Sequence, residues 1–272
     1  MPITSDFHLH SSFSGDSNTP MEEMIKSAVS KGFRSICFTE HMDMDYPVTE
    51  ESPEGIFTVN TDSYLYELAK LKEVYENQIK VLFGIELGVQ PHLMRELARY
   101  AKSYEFDFII ASTHTVKRLD PYYPSYFENR TDEEAYRQYF EEELLCMRSF
   151  SNFDVYGHID YVIRYGKTID TEYSYDKYAD LFEKMIDRLL DMEKGIEINT
   201  GGLRKGLREA NPCSDFLRRY RQKGGEIITV GSDAHNPADL GADFDRAAAI
   251  LTDCGFKYYT TFDKRVPAFH KI

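Results

Sequence analysis

Asp6-Phe7-His8-Leu9-His10, with Asp16 shortly beyond it, is the stretch on which the reading of this chain turns. Side chains alternate along an extended strand, so His8 and His10 point to one face. Two neighbouring imidazoles suit a divalent metal better than a packed core. Alone, a His-x-His pair more often marks a solvated strand end. Here the rest of the chain supports it. Of eight histidines, six (His8, His10, His41, His114, His158 and His235) end short apolar runs that read as strands; His92 and His270 do not.

A length of 272 residues, with 42% hydrophobic and 14% aromatic content, is that of a globular protein. One large α/β domain or two smaller ones fit that length. The net charge of −14 argues against duplex nucleic acid and anionic membranes as partners and leaves a small-molecule substrate open. The start, MPITSDFHLH, lacks the pattern of a signal peptide. No apolar stretch reaches the length of a membrane span. Cys37, Cys146, Cys213 and Cys254 are scattered and lack metal-binding or redox spacing. They read as reduced, buried thiols of a cytoplasmic protein. Oligomeric state is not legible.

Strands are expected at 6–10, 35–39, 80–87, 106–112, 155–158, 195–199 and 227–231. Helices are expected between them, at 61–77, 91–103, 131–150, 173–194, 211–223 and 237–254. The first helix is expected to open with Thr19 as N-cap and Pro20 in its first turn, and to close at Lys31-Gly32. The tail, 258–272, reads as a last strand and an extended stretch. The βα order repeats about seven times, which implies parallel strands in a closed barrel or an open sheet. No Gly-x-Gly-x-x-Gly follows a strand, which disfavours a dinucleotide fold. Two long, aromatic-rich connections, 42–60 and 117–130, leave strand C-termini, where lids and walls are common.

Each strand ends in a metal-competent residue: His8 and His10, Glu40-His41, Glu86, His114, His158, Glu197 and Asn199, then Asp233 and His235. In parallel α/β folds these ends converge on one rim. Six histidines mixed with carboxylates cannot all be buried core groups without heavy desolvation. Metal ions remove that cost. The donors outnumber the needs of one ion, so two or three are expected.

His8-Leu9-His10, Glu40-His41, Gly84-Ile85-Glu86, Ser112-Thr113-His114, Gly157-His158-Ile159-Asp160 and Gly231-Ser232-Asp233-Ala234-His235 resemble the motifs of the PHP (polymerase and histidinol phosphatase) superfamily. Order, spacing and length resemble its histidinol-phosphate phosphatase branch. The resemblance implies a single domain over 1–272, a distorted (β/α)7 TIM-like barrel of PHP type, with a trinuclear site of zinc, iron or manganese. It further implies one ion on His8, His10, Glu86 and Asp233. A second falls on Glu86, His114 and His158, and a third on Asp16, His41 and His235. Asp16 stands where many members have histidine. Glu40 is expected to orient an imidazole.

A phosphate monoester needs its spread charge met by fixed cations. Arg164 and Arg204 lie just past strand ends, and the resemblance makes both candidates for the substrate phosphate. Lys117 and Arg118 are weaker candidates. Gly201-Gly202 reads as a backbone cradle for phosphate or as an ordinary turn. The implied chemistry is direct hydrolysis by hydroxide bridging two ions, with Glu86, Asp233, His235, Arg164 and Arg204 as the catalytic set. Asp43, Asp45 and Tyr46 are candidate contacts for a cationic leaving group such as histidinol.

Two other phosphatase readings are weaker. Asp43-Met44-Asp45 resembles a phosphoaspartyl motif, but Glu40-His41 already ends the strand before it. Cys213 and Arg219 have Cys-x5-Arg spacing, but no apolar strand precedes them. The remaining alternatives are a PHP phosphoesterase for a nucleotide or phosphotyrosine, and a non-catalytic metal-binding module.

Overall fold

β1 (Ser5–Leu9), β2 (Ser35–Met42), β3 (Lys80–Gly88), β4 (Phe108–Ser112), β5 (Val155–Tyr156), β6 (Gly195–Asn199) and β7 (Ile228–Gly231) lie side by side in chain order. Each runs parallel to the next. The computed structural model describes residues 3–272. Met1 and Pro2, which begin the segment read as lacking a leader, lie outside the described residues. Every residue of β1, β2, β4, β6 and β7 is buried. That is why they read as unbroken apolar runs rather than alternating ones: a parallel strand here is covered on both faces.

The α-helices between them are α1 (Met21–Ser30), α2 (Thr61–Tyr75), α3 (Met94–Tyr100), α4 (Asp132–Ser149), α5 (Ala179–Asp191), α6 (Gly201–Arg204) and α7 (Ser214–Gln222), and α8 (Phe244–Asp253) follows β7. Thr131 caps α4 in a reciprocal box with Glu134. The expected cap of α1 differs. Pro20 occupies the N-cap position, and the Thr19 hydroxyl donates to the His235 carbonyl at 3.0 Å. Thr19 thus anchors the last histidine segment rather than a helix end.

The ring closes between β1 and the residues after β7. Asp233 N donates to His8 O at 2.8 Å, and His10 N donates to Ala234 O at 2.9 Å. Asp6 fastens the same seam, accepting from Ser232 N at 3.0 Å and Gly241 N at 3.1 Å. The seam lays the first motif, His8 and His10, against the last, Asp233 and His235. The barrel is distorted: β5 has two residues, and the β1–β2 register shifts between Asp6 and Leu9.

The tail departs from expectation. β8 (Tyr258–Asp263) and β9 (Val266–Lys271) form a separate antiparallel hairpin instead of a strand and an extension. Phe262 plugs the N-terminal end of the barrel, stacking on Phe108 with centroids 5.1 Å apart. Its turn, Lys264-Arg265, has φ of 48° and 66°, a region that favours Gly and Asn. Lys264 N donates to Asp107 Oδ1 at 3.3 Å and Arg265 pairs with Asp154, which holds that geometry without the usual turn residues.

Glu143 on α4 is fully buried, and neither carboxylate oxygen has a partner among the described residues. Burial, reinforced by nearby Asp160, pushes its pKa well above the ordinary 4.5. The folded state therefore holds this proton more tightly than the unfolded chain. Its contribution is most favourable below pH 4.5 and is lost as pH rises toward the folded pKa, by about 1.4 kcal/mol per unit. Glu143→Gln should remove that loss. Melting temperatures from pH 5 to 8 should fall less steeply for the variant than for the parent; parallel curves would contradict the assignment.

Candidate metal centre

Strand register explains why donors gather at one end. Cys37 pairs with Leu82, Thr39 with Gly84, and His41 with Glu86. With a period of two, each pair shares the inward face, and the last one reaches the C-terminal rim. Gly84 lets the strands sit close, since a Cβ there would lie 2.6 Å from the Cys37 sulfur.

Glu86 is the hub. Its Oε2 lies 3.3 Å from His8 Nε2, 3.6 Å from His10 Nε2 and 3.1 Å from His41 Nδ1. Its Oε1 lies 3.2 Å from His114 Nε2 and 3.1 Å from His158 Nε2. Asp233 Oδ1 stands 3.6 Å from His8 Nε2 and 3.7 Å from His10 Nε2. Asp16 Oδ2 stands 3.5 Å from His41 Nε2 and 3.0 Å from His235 Nε2. Asp233 has φ of 56°, unusual for a residue with a side chain, at the point where the segment after β7 bonds to β1. All nine residues expected as metal donors therefore meet on the rim.

These spacings fit metal ions. Two ligands of a tetrahedral site with bonds of about 2.0–2.1 Å are roughly 3.3 Å apart. Several of the separations are longer than a good hydrogen bond and close to that edge. Correspondingly, His8 Nε2, His10 Nε2, His41 Nδ1, Glu86 Oε2 and His235 Nε2 are buried without a hydrogen-bond partner among the described residues. Native interiors rarely leave such groups unmet. Three-residue donor groups form at His8-His10-Asp233, His8-Glu86-His158, His41-Glu86-His114 and His10-His41-His235. His10 thus borders both the first expected cluster and the third, and its ring stacks on those of His41 and His235, each with centroids 4.3 Å away.

Packing charges this closely pulls them apart. Burial lowers the His8 pKa, but Glu197, Glu86 and Asp233 outweigh it and hold the imidazole well above its usual range. His10, buried and faced by His235 and His41, is driven well below. The far side of three of the rings is also held. His8 Nδ1 meets Glu197 Oε1 at 2.7 Å, His114 Nδ1 meets Asp43 Oδ1 at 2.7 Å, and His10 Nδ1 meets Ser14 Oγ at 3.0 Å. Glu40 accepts from Ser14 and Ser11 hydroxyls, each at 2.5 Å. It supports His10 through Ser14 rather than its neighbour His41. Burial pushes Glu40 up to about 7.

Above the cluster opens a cavity of about 760 Å³. Both long loops wall it: Tyr46 OH donates to Asp120 Oδ2 at 2.6 Å, and Ser52 Oγ meets Tyr123 OH at 2.6 Å. Phe57, Tyr122, Tyr161 and Tyr165 add an aromatic lining. Arg164, Arg204 and Lys205 bring cations into it, although the chain is acidic.

The two arginines differ. Arg164 is buried and committed to Asn211 Oδ1 (2.9 Å), Asp233 Oδ2 (3.1 Å) and Asn199 Oδ1 (2.8 Å). Arg204 Nη2 donates to Ser232 O at 2.6 Å, while its buried Nη1 has no partner among the described residues. Other expectations change. Gly201 N donates to Asn199 Oδ1 at 2.8 Å, so that amide is already spent. Arg118 is exposed and pairs with Asp45 at 3.1 Å, away from the cavity, and Asp45 also holds His92. Asp43 lines the cavity and is also buried against His114, with its Oδ1 2.7 Å from that ring's Nδ1. Arg219 pairs with Glu183, which removes it from Cys213.

Residues 6–201 match the family described as PHP domain. The chain belongs to the PHP domain family. Among its relatives, a "Probable histidinol-phosphatase" of Clostridium acetobutylicum is 33% identical, covering 96% of this PHP chain and 97% of its own. A "Histidinol-phosphatase" of Lactococcus lactis is 30% identical, with 94% and 93% covered. A crystal structure of histidinol phosphate phosphatase from Lactococcus lactis, complexed with zinc, L-histidinol and phosphate, superposes with a TM-score of 0.87 at 29% identity. It covers 97% of this chain and 98% of its own. No helix among the described residues of the PHP chain is long and apolar enough to cross a membrane.

Proposed function

We propose that this PHP chain, as one catalytic unit over 1–272, hydrolyses L-histidinol phosphate to L-histidinol and phosphate with two or three divalent ions. The observation that carries the reading is the set of unpartnered buried donors at the cavity floor, with the unpartnered Arg204 Nη1 beside them. Donors for cations and a donor for an anion line one cavity, as a metal-dependent phosphatase requires.

His8, His10, Glu86 and Asp233 would hold one ion, Glu86, His114 and His158 a second, and Asp16, His41 and His235 a third. Mixed nitrogen and oxygen donors accept zinc, iron or manganese. Bound divalent ions supply Lewis acidity and a nucleophile from water at neutral pH. The chain's own groups do the rest. Glu86 sets the spacing of five imidazoles. Arg204 Nη1 donates to a phosphate oxygen. Arg164 fixes Asp233 and offers the remaining N–H groups of its fork to the phosphate. The aromatic walls exclude water and accommodate a flat, cationic leaving group. Buried, unpaired cysteines agree with a cytoplasmic enzyme acting on a small soluble substrate.

A panel of phosphate esters tests the substrate. Histidinol phosphate should give the highest kcat/KM, well above nucleotides and phosphotyrosine peptides. Efficient nucleotide turnover with none of histidinol phosphate would favour another PHP phosphoesterase. Metal-loaded protein inactive on every ester would favour the non-catalytic module.

A further inference from the structure

We infer that Asp43 is a positioning residue for the metal centre: it holds His114 in the tautomer that leaves Nε2 free to bind an ion beside Glu86. The inference rests on the metal-centre reading above and goes beyond it, because Asp43 is not one of the proposed ligands.

The contact is built rather than incidental. Asp43 is buried, and its Oδ1 lies 2.7 Å from His114 Nδ1. A carboxylate can only accept, so Nδ1 carries the proton, and in the neutral ring that leaves the Nε2 lone pair for an ion. Nε2 in turn faces Glu86 Oε1 at 3.2 Å. The second carboxylate oxygen of Asp43 lies 3.3 Å from His41 Nδ1 and has no hydrogen-bond partner among the described residues. One carboxylate therefore holds the His114 ring, just past β4, and lies beside the His41 ring of β2. A carboxylate behind a metal-binding imidazole fixes ring orientation and raises its basicity.

Two further features point to Asp43. Gly88, at the end of β3, leaves room for it: a Cβ there would stand 2.0 Å from Asp43 Oδ1 and 3.1 Å from its Cα. Asp43 N donates to Phe57 O at 2.8 Å, and Val59 N donates to His41 O at 3.1 Å. The first long loop is thus pinned at both sides of the residue that braces His114. Tyr46, three positions on, reaches Asp120 of the second loop. Asp43 joins the cavity wall to the metal floor.

The test compares Asp43→Asn, Asp43→Ala, Gly88→Ala and Asp45→Asn. Each purified protein is stripped, reloaded with zinc, and titrated with a competing chelator, with ion content per chain read by elemental analysis. Asp43→Asn should release its weakest-held zinc about 10- to 100-fold more readily than the parent. Asp43→Ala should be at least as weak. Gly88→Ala should reproduce the loss with every donor present, because its methyl displaces the brace. Asp45→Asn should match the parent. Melting curves of the stripped proteins separate misfolding from metal loss. Parental zinc retention in correctly folded Asp43→Asn and Asp43→Ala would overturn the inference. So would weakening in Asp45→Asn equal to that in Asp43→Asn. These readouts need no turnover. If the parent binds zinc but releases no phosphate from any ester, the function fails and the role of Asp43 is still decided.

Discussion

Glu86→Gln should lose phosphatase activity by on the order of 10³-fold or more and should purify with fewer ions. Glutamine keeps the volume and one carbonyl oxygen but removes the charge that five imidazoles share. Its amide nitrogen would also turn a donor toward ring nitrogens or cations that need an acceptor. Losing several kcal/mol of charge stabilisation corresponds to that rate factor, since each 1.36 kcal/mol is about tenfold. The side chain is fully buried and sits on the longest barrel strand, so circular dichroism and a melting curve must accompany the assay. A folded Glu86→Gln protein with parental metal content and turnover would show that Glu86 does not bridge the site.

Arg204→Ala should lower kcat/KM by about 10²- to 10³-fold, the usual cost of deleting a donor aimed at developing charge. The unpartnered Nη1 supplies that donor. Arg204→Lys should recover only part of the loss, because an ammonium cannot reach phosphate and still hold the Ser232 carbonyl as the planar fork does. Inhibition by inorganic phosphate should weaken in parallel. Parental phosphate inhibition in Arg204→Ala would assign Nη1 a purely structural role. Arg164 is harder to read by mutation, because its removal also frees Asp233, Asn199 and Asn211.

The barrel was legible because its strands are buried on both faces and so appear as short apolar runs. The donors were legible because each stands at a strand end, where parallel topology brings distant residues together. The hairpin at 258–271 was not, since Lys264 and Arg265 adopt positive φ with none of the residues that normally announce such a turn. Their support comes from Asp107 and Asp154, far away in sequence. The role of Asp43 was hidden for a similar reason. Beside Asp45 it looks like a loop carboxylate, and only the fold brings it to His114. Ser14 behind His10, and Asn211 beside Arg164, are ordinary polar residues until the contacts are known, and Asn199, legible as a strand-end residue, turns out to accept from Arg164. Thr19-Pro20-Met21-Glu22 carried a sound cap signal, but the Thr19 hydroxyl found a partner in the His235 segment instead.

The most direct measurement is phosphate release from histidinol phosphate by protein of known metal content, before chelation, after it, and after divalent ions are restored. Turnover should rise and fall with ion content, vanish in the stripped protein, and return on reloading. Undiminished phosphate release by metal-free protein, or none by protein carrying a full complement of ions, would contradict the metal-dependent phosphatase.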